Sequence, residues 1–124
     1  MFQENMLEKK VWAVIGASCD TGKFGYKIYK KLKSKGYRAY AVNPLFEVIE
    51  GDKCYQDLAS LPETPEVINM VVSPKIGKYV IEEAARLGIK HVWFQPGSCD
   101  PDLLELTAEL GLKSVQACVL IATK

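Results

Sequence analysis

Histidine is nearly missing from this chain: His91 is the only one. The four cysteines, Cys19, Cys54, Cys99 and Cys118, form no C-x-x-C pair and have no histidines beside them. A zinc site needs closely spaced ligands, so this spacing argues against any metal. No stretch approaches the roughly 20 apolar residues that span a bilayer. The first residues, Met1-Phe2-Gln3-Glu4-Asn5-Met6, lack the apolar run of a signal peptide. The expectation is a cytoplasmic protein with no membrane partner. Charge of one sign is lacking too, since 16 basic against 15 acidic residues leave +1. No global field draws nucleic acid to the chain, and an anion must be held by a local site.

What is present fits one domain. At 124 residues, 48% hydrophobic and 25% charged, the chain can bury a continuous core without disulfides. It is read as a single domain over 1–124, with 1–9 as an N-terminal arm. Val11 to Ile15 is a short apolar run closed by glycine, as in a buried strand. Lys23 to Lys35 reads as a helix with Ile28 and Leu32 one turn apart. Arg38 to Val42 is the second strand, followed by a loop and a short helix over Tyr55 to Leu61. Val67 to Val72 is the third strand. Ser73-Pro74 then opens a helix with a cap residue and a proline at N1, its inner face being Ile76, Val80, Ala84 and Leu87. His91 to Phe94 is the fourth strand, Asp100-Pro101 opens a helix with Leu103, Leu106 and Leu110 inside, and Ser114 to Leu120 is the fifth strand.

Three helices stop in the same way, at Gly36, Gly88 and Gly111, each followed by an apolar residue and a strand. That is the left-handed C′ glycine of a repeated helix-to-strand joint. Buried strands alternating with helices mean a parallel sheet covered on both faces. The expected fold is α/β, a Rossmann-like three-layer sandwich with a five-stranded parallel sheet in the order 3-2-1-4-5. Such sheets bind ligands beyond the carboxyl ends of the strands, here near the switch between strands one and four.

The segment Gly16 to Gly25 leaves strand one on that edge and combines three glycines, two hydroxyls and Lys23 at a helix N-terminus. Free N–H groups and the helix dipole favour a phosphate there. Two known phosphate motifs fail on it. The dinucleotide pattern G-x-G-x-x-G needs glycine where Ser18 stands, and Asn43 replaces the acidic residue that ends strand two. A P-loop needs four residues between its glycines and a hydroxyl after the lysine; here there are five, and Phe24 follows Lys23. The other strand exits are Asn43-Pro44, Ser73-Pro74 and Gln95-Pro96-Gly97. Proline past a strand end stiffens the exit, and three such exits on one edge favour a shaped site.

The segments V-I-G-A-S with K-F-G, then A-V-N-P, V-V-S-P, V-W-F-Q-P-G and A-C-V, together resemble the coenzyme A-binding domain family. Its members include small relatives of the N-terminal domain of the succinyl-CoA synthetase alpha subunit. The resemblance runs from Val11 to Leu120. It implies coenzyme A as cofactor, with the phosphates at Gly16, Ala17, Ser18, Lys23, Phe24 and Gly25 and the nucleotide end at Asn43 and Pro44. It places the pantetheine arm along Val72, Ser73, Pro74, Gln95, Pro96 and Gly97, and matches Cys118 to a cysteine near the end of the last strand. Many members continue into a basic tail where this sequence ends Ile121-Ala122-Thr123-Lys124.

No catalytic constellation accompanies these residues. His91 begins strand four at the edge opposite the proposed site, out of reach of a ligand proton. Nucleophile-elbow and zincin signatures are missing as well. The role so implied is a non-catalytic coenzyme A-binding protein that carries or senses coenzyme A or acyl-CoA, or partners an acyl-CoA enzyme; a protein partner and a homo-oligomer both stay open. Cys19 and Cys99 on loops at the ligand edge keep open a second reading, a thiol-dependent acyl-CoA or redox enzyme. A third, an NAD(P)-binding protein, is disfavoured by Asn43.

Overall fold

Val11–Ile15 (β1) is buried at every position, and its alternating side chains feed two cores. The computed structural model describes residues 2–123, so Met1 and Lys124, the ends of the expected domain, lie outside the described residues. Trp12 and Val14 pack with Ile28, Tyr29 and Leu32 of α2, Phe24–Ser34. Ala13 and Ile15 pack on the other side with Ile81 and Ala84 of α3, Pro74–Arg86, and with Leu103 of α4, Pro101–Glu109. A period of two divides a strand between two faces, and helices on both faces make three layers.

The remaining strands are β2 (Arg38–Val42), β3 (Val48–Ile49), β4 (Asp52–Tyr55), β5 (Val67–Met70), β6 (His91–Phe94) and β7 (Lys113–Gln116). They form one sheet in the order β3-β4-β2-β1-β5-β6-β7, parallel except for the β3–β4 pair. The expected five strands in the order 3-2-1-4-5 are corrected. The strand at Val67 pairs with β1 and not with β2, whose outer side is taken by β4. The switch in strand order therefore falls between β1 and β5. With β4 counted as the third parallel strand, the six parallel strands run 3-2-1-4-5-6, the Rossmann order.

The overlooked hairpin turns at Glu50-Gly51, both with positive φ (52° and 78°). This is the two-residue geometry that matches strand twist. Glutamate in place of the usual asparagine or aspartate hid it. The helix expected over Tyr55 to Leu61 is also corrected. Tyr55 belongs to β4, and the N–H groups of Leu58 and Ala59 donate to the Glu83 carboxylate on α3, both at 3.2 Å. Backbone groups satisfied from outside do not need a helix.

The last strand ends at Gln116 and not at Leu120, and Val119–Ala122 forms a short helix, α5. Trp93 Nε1 donates to Ala117 O at 2.8 Å, and buried Val119 joins the core beside α2. The expected arm is a helix, α1 (Phe2–Leu7), docked through buried Met6 and through Tyr37, whose hydroxyl donates to Leu7 O at 2.6 Å. The three glycine stops hold: after each, the next N–H reaches back to the last turn, as Ile89 N–H does to Ala84 O at 3.0 Å.

Candidate functional site

The exits of β1, β2, β5 and β6 converge on one edge of the sheet. At its centre the Gly16 N–H donates to Val42 O at 2.9 Å, continuing the β1–β2 ladder by one residue. The chain then turns on itself. Asp20 N–H donates to Ser18 Oγ, Gly22 N–H to Asp20 Oδ1 and Lys23 N–H to Asp20 O, each at 3.0 Å. Lys23 is thereby the N-cap of α2, with extended backbone and an exposed side chain. The Tyr26 N–H donates to Lys23 O at 3.2 Å, while the N–H groups of Phe24 and Gly25, at the first two helical positions, have no intrahelical acceptor and suit an anion. Asn43 braces the turn from below: its Nδ2 donates to Ala17 O and its Oδ1 accepts from Leu45 N–H, both at 2.9 Å.

Three cavities lie along this edge. The first, about 520 Å³, sits between the β2 exit and α3. The second, about 460 Å³, covers the glycine-rich turn. The third, about 390 Å³, lies between the start of α2, the β6 exit and Cys118. Gly16, Asn43, Leu45 and Val72 line both the first and the second, and Phe24, Val71 and Val72 line both the second and the third. They form one groove. Its rim carries large apolar side chains left in solvent, Phe24 at 59%, Leu45 at 82% and Tyr79 at 68% exposure. Apolar surface grouped around a groove marks a binding face.

Most of the residues expected from the sequence line the groove. Gly16, Ser18, Lys23, Phe24, Gly25 and Asn43 surround its middle, Pro44 the first cavity, and Ser73, Gln95, Pro96, Gly97 and Cys118 the third, with Val72 common to all. Ala17 is fully buried in the core. Pro74 faces a separate cavity between α3 and α4. Ser73 occupies the N-cap of α3, but its side chain makes no capping bond. Gln95 is engaged within the fold: its Oε1 accepts from Val119 N–H at 2.8 Å and its Nε2 donates to Cys118 Sγ at 3.5 Å. It secures α5 to the groove wall.

The sequence reading missed the wall formed by α3. Its buried face is Gly77, Ile81 and Ala84, while Ile76 and Val80, expected inside, line the first cavity, and Leu87 is exposed. An apolar stripe wider than the core requires was the available signal. Leu106 of α4 and Leu110, its C-cap, are likewise less buried than expected, and Thr107 takes the inner place beside Leu103. Asp57 and Glu83 also line the first cavity. They come together only because loop 56–61 folds over α3.

Of the cysteines, Cys118 lines the groove. Cys19 is exposed and donates to Val48 O at 3.1 Å. Burial and neighbouring Asp100 push the Cys99 thiol up, away from the nucleophilic thiolate. Among the described residues no three His, Cys, Asp or Glu side chains gather into a metal-binding group, and no helix is long and apolar enough to cross a membrane.

His91 starts β6, paired with Val67 and Lys113 at the end of the sheet away from Gly16. Burial, helped by the Lys9 ammonium, holds its imidazole below the ordinary value. The unfolded chain then binds the proton at higher pH than the folded one, so stability falls as pH drops through about 6.5. His91→Gln should flatten this loss between about pH 7.5 and 5 in thermal melts followed by circular dichroism. The acid loss from Asp52, held low by Tyr29 and Lys33, and from Glu63, held low by Tyr40 and Arg38, lies lower and should persist. A variant with an unchanged profile would remove His91 from this role.

A family model described as CoA binding domain matches residues 10–124. Among curated proteins, the ADP-forming acetate–CoA ligase I of Archaeoglobus fulgidus is 32% identical over 122 residues, covering 90% of this chain and 18% of the ligase. The chain thus spans less than a fifth of that relative's length. Among solved structures, a conserved hypothetical protein from Pyrococcus furiosus superposes with a TM-score of 0.86 at 37% identity, covering 92% of this chain and 99% of the other. A hypothetical protein from Pyrococcus horikoshii gives 0.87 at 32% identity, covering 94% and 82%.

Proposed function

The chain belongs to the CoA binding domain family, and from that premise we propose that its groove holds coenzyme A, nucleotide end toward β2 and arm toward Cys118. The observation that supports this most is the order of the three joined cavities. An anion station at Lys23 and the start of α2 is flanked by an apolar slot on one side and a narrower channel on the other. Coenzyme A has the same order: adenosine, diphosphate, then a long amide-bearing arm. Gly16, Ser18 and Lys23 would receive the diphosphate, Asn43 and Pro44 would border the nucleotide, and Ser73, Pro96 and Gly97 would border the arm.

The role is binding without turnover. Of the ionisable groups in the groove, Glu83 is tied to two backbone N–H groups, and Asp57 Oδ1 accepts from Ser60 N–H at 2.9 Å. Neither is placed as an acid or base on the arm, and His91 is at the far end of the sheet. Similarity to an ADP-forming acetate–CoA ligase supports a partner among acyl-CoA-forming enzymes, to which this domain would present or from which it would take its ligand.

Titration calorimetry tests the ligand. Coenzyme A should bind more tightly than NAD or ATP, and Lys23→Ala should weaken it by about 1.5–3 kcal/mol, the range for hydrogen bonds to charged groups. Tighter binding of NAD would sink the assignment; normal binding by Lys23→Ala would reduce the lysine to surface decoration. The position of Cys118 beside the arm favours the enzyme reading as the rival. Cys118→Ser should bind coenzyme A normally. Turnover of acetyl-CoA by the native chain that disappears in this variant would make the protein a thiol enzyme.

A further inference from the structure

We infer that the groove does not recognise the 3′-phosphate of coenzyme A, so that an adenine nucleotide arm with a free ribose 3′-hydroxyl, as in 3′-dephospho-coenzyme A, is an equal ligand. This rests on the placement of the nucleotide end given above. Among the described residues, those lining the three cavities include one cation, Lys23, and it lies in the middle cavity at the glycine-rich turn. Coenzyme A carries two anionic groups, and the turn with the α2 N-terminus is built for the diphosphate. The 3′-phosphate, a monoester bearing about −1.5 to −2 charges, belongs beside the ribose, at the nucleotide slot.

Among the described residues, that slot offers such a group no cation. Its walls are mostly apolar, with Ile15, Val42 and Leu58 among them; Asn43, Gln56 and Tyr79 add only neutral polar groups, and its charged side chains are the carboxylates of Asp57 and Glu83. Both are fixed, Glu83 by Leu58 and Ala59 N–H at 3.2 Å and Asp57 by Ser60 N–H at 2.9 Å. A phosphate entering here would lose water against hydrocarbon and approach two like charges. A hydroxyl is neutral, loses less on desolvation, and can donate to a carboxylate oxygen. The slot therefore gives the phosphorylated ribose no advantage over the free hydroxyl.

Calorimetry on the intact chain with coenzyme A and 3′-dephospho-coenzyme A at about 0.15 M salt, where exposed charges are screened beyond roughly 8 Å, decides the matter. The dephospho form should bind more tightly than coenzyme A or within about threefold of it. Coenzyme A binding more than about threefold tighter would overturn the inference while leaving the proposed function standing. Failure of both to bind would bring down the proposed function, and this inference with it. Asp57→Lys supplies the missing cation, and in a variant whose melting curve shows it folded the preference should move toward coenzyme A by about tenfold. A folded variant with an unmoved ratio also overturns the inference, and if it does not fold the native comparison stands alone as the test.

Discussion

Gly25→Ala should unfold about 10 °C below the native chain, a loss of about 3 kcal/mol. Gly25 lies in the first turn of α2, buried under the glycine-rich turn. A Cβ there would stand 2.0 Å from Gly16 O, 3.0 Å from Gly16 C and 3.2 Å from Ala17 Cα, all backbone atoms. No rotamer relieves such a contact, so the helix must lift off the turn. Ile28 and Leu32, on the same buried face of α2, would lift with it. Overpacking a core costs about 1–3 kcal/mol, and a clash with backbone belongs at the upper end. Gly22→Ala is the control. Its Cβ would meet Asp20 Oδ1 at 3.4 Å, an ordinary contact, and its melting point should change little. Identical melts for the two variants would show that α2 does not rest on Gly16. Coenzyme A affinity should fall with Gly25→Ala as well, because the helix N-terminus and the turn that form the anion station separate.

Gln95→Leu should lower stability by about 1–3 kcal/mol, the range for a buried polar group left without its partner. Gln95 is 4% exposed, and its Oε1 takes the first N–H of α5. Leucine leaves that N–H buried with nothing to accept it. Trp93 Nε1 still holds Ala117 O and Val119 stays in the core, but the start of the helix must move to find its N–H another acceptor, so Cys118 and the channel wall shift. Coenzyme A should therefore bind less tightly to the variant, while ADP, which has no pantetheine arm, should bind both proteins alike. Gln95→Glu retains an acceptor for Val119 N–H and should keep α5 docked. If Gln95→Leu melts with the native chain, or weakens ADP as much as coenzyme A, the amide does not act through α5.

The placement of Gln95 illustrates how the site could be legible while the role of a residue was not. Sequence position put it at a strand exit on the ligand edge, and it does line the groove. Which partner its amide takes depends on where residue 119 returns, 24 positions along the chain. Asn43 is a similar case: its distance from a strand end placed it in the site, and only the fold showed it bracing Ala17 O.

The alternation of strands and helices, the proline starts and the glycine stops were determined by the sequence itself, because each depends on residues within a turn or two of one another. The turn at Gly16 and its anion-suited helix start were equally local. Strand order was decided by tertiary structure: whether β2 takes Val67 or Asp52 as its neighbour depends on a two-residue hairpin whose glutamate carries no clear turn signal. So was the division of the α3 apolar stripe, which is continuous along the helix. Periodicity reports that a face is apolar; whether a sheet or a ligand covers it is set by the elements that pack there from far along the chain.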